Sequence, residues 1–339
     1  MMGIKSSTFK LLAALFTAVI FLSVLFIGIS KTEEYFVEKA DASNISEESL
    51  TSFEEKNYIY HNNKKYKPKN YLDTVLLIGT DDEGKIYESI SYNNSKKADF
   101  IALMVFNNNT KKCDIIHINR DTIAEFNILG VTGEKAGTET AQIALAYTYG
   151  NGLELSCRNT VKAVSNLLYQ IEIENYLSMN MNAIASLNDV IGGVELEILD
   201  DFSDVDPSLV KGETILLKGN QALTYVRGRG NVGDQTNISR MSRQRQYMAA
   251  FAQKIKTAYE SDNELILNAY NAITDYIVTD CSITVLSDTA ERLSEYEINE
   301  IITPEGEIIE NAEYIEFHTD DEKLKELVIN IFYDEITTE

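Results

Sequence analysis

The chain has 339 residues, enough for one large domain or two ordinary ones, and its 44% apolar and 9% aromatic content excludes wholesale disorder. Acidic residues outnumber basic ones 53 to 30, a formal charge of −23, which excludes bulk nucleic-acid binding because that needs many Lys and Arg against phosphate. Cys113, Cys157 and Cys281 lie far apart in no CxxC spacing, so three small buried side chains are expected rather than a metal or redox site.

In chain order, Leu11 to Ile29 comes first: nineteen uncharged residues with only Thr17, Ser23 and Gly28 outside the hydrophobic set. A helix of that length reaches roughly 30 Å, the thickness of a bilayer core. The run exceeds a signal-peptide apolar region, and the small-x-small triplet Ala40-Asp41-Ala42 lies well beyond it. An uncleaved transmembrane helix over residues 11–30 is therefore expected. Lys5 and Lys10 precede it, which places residues 1–10 as a cytoplasmic tail and everything after the helix outside the cell membrane. Residues 31–55 are polar, acidic and Ser-rich and read as an extracellular stalk.

Aromatics alternate around His61-Asn62-Asn63, which predicts a small hairpin. The stretch "DTVLLIGTDD" predicts a buried strand ending in two carboxylates, and "FIALMVFNNNTKKCDIIHINRD" predicts a strand, a turn over Asn107 to Lys112, and a second strand. Apolar spacing predicts helices in "TAQIALAYTYG" and "CRNTVKAVSNLLYQI". Next comes a strand, a helix closed by Gly192-Gly193, and another strand. "QALTYVRGR" reads as a short helix or strand, and "SRQRQYMAAFAQKIKTAYE" as an amphipathic helix. Such β/α alternation predicts an α/β layered domain over residues 56–260. Residues 261–339 read as an extension packed on it, with a helix near Leu265 to Tyr276, turns at Pro304-Glu305-Gly306 and a final helix from Asp321 to Tyr333.

In α/β sheets ligands bind beyond the carboxyl ends of strands. Asp81-Asp82, Asp99 and Arg120-Asp121 fall at strand ends here. Carboxylates from separate strands suit Mg²⁺, which takes one or two of them plus phosphate oxygens and water. Arg227, Arg229, Arg240, Arg243 and Arg245 place five of the chain's eight arginines within nineteen residues, and each fork can bind two phosphate oxygens. Singly, each feature has a structural rival: a turn or cap pair at Asp81-Asp82, a local ion pair at Arg120-Asp121, a solvated helix face at Arg240 and Arg243. Together they favour an anion pocket.

Gly79-Thr80-Asp81, Lys97-Ala98-Asp99, Asn119-Arg120-Asp121-Thr122, Ala146-Tyr147-Thr148-Tyr149-Gly150, Ile191-Gly192-Gly193-Val194, Tyr225-Val226-Arg227-Gly228-Arg229 and Arg240-x-x-Arg243-Gln244 follow one another in order. Over about residues 72–256 this set resembles the LytR-CpsA-Psr family of bacterial envelope enzymes. The resemblance implies an α-β-α layered domain with a mixed central sheet. It also implies a phosphotransferase that moves a glycopolymer phosphate from a polyprenyl-pyrophosphate carrier to peptidoglycan, for teichoic acid, capsule or a related wall polymer. By similarity Asp81 and Asp99 would hold Mg²⁺ or Mn²⁺; Arg120, Arg227, Arg229, Arg240 and Gln244 would contact the pyrophosphate, with Arg243 close by and Asp81, Asp99, Arg120 and Arg229 catalytic. The isoprenoid tail would lie in an apolar tunnel. Either Asp121 or Asp234 would accept the acceptor's proton. The sequence departs from the family pattern at Glu83, Lys97, Gln142 and Asn237. Those departures keep two other readings open, a non-catalytic receptor for the pyrophosphate lipid and a hydrolase that uses water as acceptor.

Overall fold

The computed structural model describes residues 58–89, 94–261, 264–310 and 314–336. The tail, transmembrane helix and stalk expected over residues 1–55 lie outside the described residues. Among the described residues no helix is long and apolar enough to cross a membrane. The chain divides into two compact units, residues 1–67 and 68–339. In the first, β1 (Ile59–His61) and β2 (Lys64–Pro68) form an antiparallel hairpin. Its turn residues Asn62 and Asn63 have φ of 48° and 59°, the left-handed pair that a two-residue hairpin turn demands.

The second unit is built on β3 (Leu72–Thr80), β4 (Ala98–Asn107) and β5 (Lys112–Ile118), an antiparallel meander. A hairpin of β6 (Ile123–Leu129) and β7 (Lys135–Gln142) follows, then a 3₁₀ turn over Ile143–Thr148 and α1 (Glu154–Leu167). β8 (Asn175–Met179), α2 (Met181–Val190), the hairpin β9 (Val194–Glu197) and β10 (Thr214–Leu217), and α3 (Asn220–Arg227) lead to α4 (Asn237–Ser261). After α5 (Leu265–Ile273) come β11 (Ile277–Thr279), α6 (Ile283–Glu295) and β12 (Glu297–Ile302). The hairpin β13 (Gly306–Glu310) and β14 (Ile315–Thr319) precedes α7 (Asp321–Phe332).

The central sheet has the order β11-β8-β3-β4-β5-β12, with parallel pairs β8/β3 and β5/β12 in an otherwise antiparallel ladder. Strand alternation separates two cores. Leu76, Ile78, Ile101, Leu103, Ile116 and Ile118 face α1, the 3₁₀ turn and α7. Val75, Ala102, Met104, Phe106 and Ile115 face the other way, toward Met248 of α4, Leu293 of α6 and Tyr296. Each fully buried Leu or Ile contributes on the order of 1.5–3 kcal/mol relative to exposure. The result is the mixed-sheet α/β domain expected, layered α-β-α. Cys113, Cys157 and Cys281 are all free thiols and all buried, as the spacing predicts.

Two differences from the sequence-based expectation have clear causes. "TAQIALAYTYG" is not an amphipathic helix: Gln142 still pairs with Ile123 in the β6/β7 ladder, and only Ile143–Thr148 coil, as a 3₁₀ turn. All of that turn but Leu145 is buried, so its apolar residues answer to neighbours on every side rather than to one helical face. Residues 261–339 do more than pack on the domain, for they supply both edge strands of the central sheet, β11 and β12. β12 joins β5 in parallel across some 180 residues of sequence, a pairing that no local pattern announces.

Candidate functional site

The meander brings the predicted strand-end residues together. Thr80 pairs with Ala98, and the Lys97 N–H donates to Asp81 Oδ1 at 3.0 Å, so Asp81 and Asp99 occupy one end of the β3/β4 hairpin. β5 runs back beside β4 with Ile118 opposite Ile101, which carries Arg120 to Asp99. Arg120 Nη1 pairs with Asp99 Oδ1, and Arg240 Nη1, from near the start of α4, lies 3.4 Å from Asp99 Oδ2.

Behind this pair sits Asp121, 3% exposed. Its Oδ1 accepts from Gln142 Nε2 at 3.0 Å and lies 3.4 Å from Arg120 Nε; its Oδ2 accepts from Asn237 Nδ2 at 3.2 Å. Burial raises the Asp121 pKa; Arg120, Arg229 and Arg240 pull against that rise and Asp99 adds to it. The same environment lowers the Arg240 pKa, through burial first and then through Arg120 and Arg229, while Asp99 opposes. Three guanidinium groups, Arg120, Arg229 and Arg240, are thus felt at Asp121, and their forks can meet an anion.

Two departures from the family pattern acquire a physical role here. As an amide, Asn237 donates to Asp121 and to Asn119 Oδ1 (2.7 Å) while its Oδ1 accepts from Arg240 Nη2 (2.7 Å). A carboxylate at 237 could not donate to either. Gln142 likewise donates to Asp121 and to the Ile315 carbonyl at 2.7 Å. Lys97 contributes its backbone N–H to Asp81. Glu83 Oε1 accepts from Arg227 Nη1 at 3.0 Å, an exposed pair at the end of α3.

The remaining predicted residues divide. Arg229 is half-buried, its Nε donates to the Gln235 carbonyl at 3.4 Å, and its charge is felt at both Asp121 and Arg240. Arg243 is turned away and 1% exposed. Its fork holds the Tyr225 carbonyl (3.0 Å), the Gly228 carbonyl and Asp200, and it lies over the Phe202 ring. It braces the Arg227-Gly228-Arg229 turn from behind. Gln244 Nε2 donates to the Val226 carbonyl at 3.2 Å. Asp234, the second proton-acceptor option, is exposed and accepts from Thr236 N–H and Oγ1, which lower its pKa and shape the entry to α4.

For a divalent cation the donor set is two hard carboxylates. Asp81 is exposed, and its Oδ2 has no protein partner among the described residues. Asp99 already meets Arg120 and Arg240. No group of three or more His, Cys, Asp or Glu gathers among the described residues. This fits an ion such as Mg²⁺ that takes most of its ligands from phosphate and water, and does not fit an all-protein cage.

Nothing in the sequence marks His117 as part of the site. It alternates with Asn119 along the end of β5, packs on Phe100 with ring centroids 5.0 Å apart, and is 1% exposed. Burial first, then Arg245 and Arg240, push its imidazole down to about 3. It is therefore neutral at physiological pH, an uncharged layer between arginines and apolar core. A histidine with a lowered folded pKa stabilises the fold fully above its unfolded value, near 6.5, and that contribution is lost as pH falls toward 3. His117→Leu is expected to flatten this acid loss, checked by denaturant midpoints at pH 7 and pH 4.5 for both proteins.

Beside the polar cluster, on the α4 face of the sheet, lies an open, almost wholly apolar cavity. Leu77, Met104, Ile184, Tyr247, Phe251 and Ile298 are among its walls. Gly79, Val226 and Gln244 also line it, and each is within two residues of Asp81, Arg227 or Arg243. At Gly79 a Cβ would stand 2.8 Å from Phe100 Cβ on the paired strand, so a larger residue would force β3 and β4 apart. Fold and site together define an α-β-α domain with clustered arginines beside an apolar cavity.

The chain belongs to the LytR_cpsA_psr family, whose profile matches residues 35–329. It is 29% identical over 177 residues, 52% of this chain and 51% of the relative, to TagU of Halalkalibacterium halodurans, named a polyisoprenyl-teichoic acid–peptidoglycan teichoic acid transferase. The chain spans about half the length of the curated relatives it matches. In fold it is similar to protein gbs0355 of Streptococcus agalactiae, with TM-score 0.62 and 20% identity over 78% of this chain and 90% of the other. A structure of TagT bound to LI-WTA matches with TM-score 0.58 and 22% identity over 77% and 90%.

Proposed function

We propose that the chain is a phosphotransferase that moves a glycopolymer phosphate from a polyprenyl-pyrophosphate carrier to a peptidoglycan acceptor, in teichoic acid, capsule or related wall assembly. The observation that carries this reading is an apolar cavity beside the arginine cluster, its lining residues Gly79 and Val226 lying two residues from Asp81 and three from Arg229. A free sugar phosphate has no use for the cavity, and a neutral lipid has none for the arginines. TagU's name and the occupant of the TagT structure, together with family membership, support the same substrate class.

In this reading the head's two phosphates lie against Arg120, Arg229 and Arg240, with Arg227 released from Glu83 to join them. An acceptor hydroxyl attacks the polymer-side phosphorus. Its O–P bond forms as the bond to the bridging oxygen breaks, and polyprenyl phosphate leaves with that electron pair. The hydroxyl proton passes to Asp121, whose burial raises its basicity, rather than to Asp234, whose basicity the hydrogen bonds from Thr236 lower. Preplaced guanidinium charge stabilises the developing phosphate charge without a covalent protein intermediate. Mg²⁺ held by Asp81 and Asp99 would add charge neutralisation at the pyrophosphate when bound. The apolar run Leu11 to Ile29 would anchor the chain in the cell membrane, residues 1–10 inside and the domain outside, where carrier and wall meet.

The test uses the full chain in detergent with a polyprenyl-pyrophosphate glycan, peptidoglycan fragments and Mg²⁺, reading polyprenyl phosphate release and glycan–acceptor product. Conjugate formed with the metal and lost on chelation supports the transferase. Release without conjugate would make it a hydrolase, and tight lipid binding without turnover a receptor. A base must be ionised, so kcat/KM is expected to rise with pH through a limb above the ordinary Asp value of about 3.8. Asp121→Asn should remove that limb, while Asp234→Asn should leave it in place.

A further inference from the structure

The turn that follows β3 and carries Asp81 is held from two sides. On one side stands the start of α2, where Asn180 is the fully buried N-cap. The Met181 N–H donates to the Asp82 carbonyl at 3.2 Å, Asn182 Oδ1 accepts from the Gly84 N–H at 2.8 Å, and Asn180 Nδ2 donates to the Gly84 carbonyl at 2.6 Å. On the other side stands the approach to β4, where Lys96 Nζ lies 2.7 Å from Asp82 Oδ2.

A lysine is seldom buried, yet Lys96 is only 8% exposed, with the Tyr87 ring 4.5 Å from its Nζ. Its backbone is fixed as well. The Lys96 N–H donates to Asn94 Oδ1 at 2.9 Å, and Asn94 Nδ2 donates to the carbonyls of Tyr147 and Thr148 in the 3₁₀ turn, both at 3.0 Å. A buried ion pair is a weak source of stability, because desolvating two charges offsets their attraction. Its effect is on shape: Asp82 cannot leave Lys96 without stranding a charge, so the turn around it keeps one arrangement.

Asp81 depends on that arrangement more than Asp99 does. Asp99 is pinned by its own ion pairs with Arg120 and Arg240. Asp81 is exposed, and among the described residues its carboxylate accepts only from the Lys97 N–H, at 3.0 Å through Oδ1. The backbone of the turn therefore decides where its second oxygen stands. Asp82 is the next residue along, and it joins that backbone to Lys96 through its side chain and to α2 through its carbonyl.

We propose that Lys96, acting through Asp82, is a positioning residue: the buried pair holds the Asp81 carboxylate where it and Asp99 can share a divalent cation. The proposal rests on the metal role given to Asp81 in the transferase reading above, and it can fail separately from that reading. Mn²⁺ is titrated into the full chain in detergent with saturating farnesyl pyrophosphate, and unbound Mn²⁺ is read by electron paramagnetic resonance. The informative variant combines Lys96→Met with Asp82→Asn, which removes both charges together so that neither is stranded and the fold is kept. Asp81→Asn marks the loss of the carboxylate itself. The double variant is expected to weaken Mn²⁺ binding about tenfold, the usual effect of removing a group that orients a metal ligand. Its Tm should stay within a few degrees of the wild type, and its affinity for farnesyl pyrophosphate without metal should be unchanged. Wild-type Mn²⁺ affinity in the double variant overturns the proposal. An equal loss of metal-free farnesyl pyrophosphate binding also overturns it, because the damage then extends to the arginines. A wild type that holds Mn²⁺ no more tightly than Asp81→Asn would remove Asp81 from the metal, and the proposal with it. A wild type that holds Mn²⁺ through Asp81 yet forms no glycan–acceptor conjugate would sink the transferase reading and leave the positioning role to the double variant's result.

Discussion

Arg229→Ala is expected to lower the rate of polymer transfer about 10²- to 10³-fold, the usual cost of removing one preplaced charge from a developing oxyanion. The residue suits the experiment because little of the fold depends on it: it is half-buried, and its hydrogen bond to the Gln235 carbonyl is long. Thermal unfolding of the variant should stay within a few degrees of the wild type. The loss should fall on kcat more than on KM, since the charge matters most as the bridging P–O bond breaks. Arg229→Lys should recover only part of the rate, because an ammonium cannot span two phosphate oxygens. A variant that keeps full kcat would remove Arg229 from the reaction.

Arg243→Ala, in the same arginine-rich stretch, is expected to act on stability instead. At 1% exposure its fork closes on the carbonyls of Tyr225 and Gly228 and on Asp200, which is itself mostly buried. Breaking a buried pair by removing one partner costs about 3–5 kcal/mol, because the other charge stays behind unpaired. For a domain of this size that corresponds to a fall in Tm on the order of 10 °C. Differential scanning calorimetry reads it directly, with Asp200→Asn as the matching half of a double-mutant cycle. Activity measured well below the variant's Tm should drop far less than in Arg229→Ala. The reverse pattern, a normal Tm with lost activity, would move Arg243 into the phosphate site.

The two arginines also mark how much of the site is legible in sequence. Order along the chain and placement at strand ends suffice to bring Asp81, Asp99, Arg120 and Arg240 together, because a meander and one long helix leave few ways to arrange them. Spacing cannot distinguish Arg240 from Arg243: both lie on α4 one turn apart, and only packing against Asp200 and the Gly228 carbonyl turns one inward to brace the loop. The choice between Asp121 and Asp234 is open in sequence for the same reason, since the groups that bury Asp121, Gln142 and Asn237 among them, come from separate segments. The strands and helices of residues 72–260 are mostly visible as periodic runs. β11, β12 and the β13/β14 hairpin are not, because they are short, and β11 and β12 pair with strands far off in sequence.

Those late edge strands bear on how the protein comes to exist at all. β5 is complete by residue 118, but its outer neighbour, β12, is not made until residue 297. At about 5–20 residues per second, the strand waits on the order of ten seconds or more after its own synthesis with one row of N–H and C=O groups unmatched. A nascent chain in that interval is a target for proteases and for pairing with its neighbours. A gene fragment ending near residue 260, the natural choice if the arginine-bearing motifs were taken as the whole domain, would keep both edges open permanently and should be recovered as aggregate.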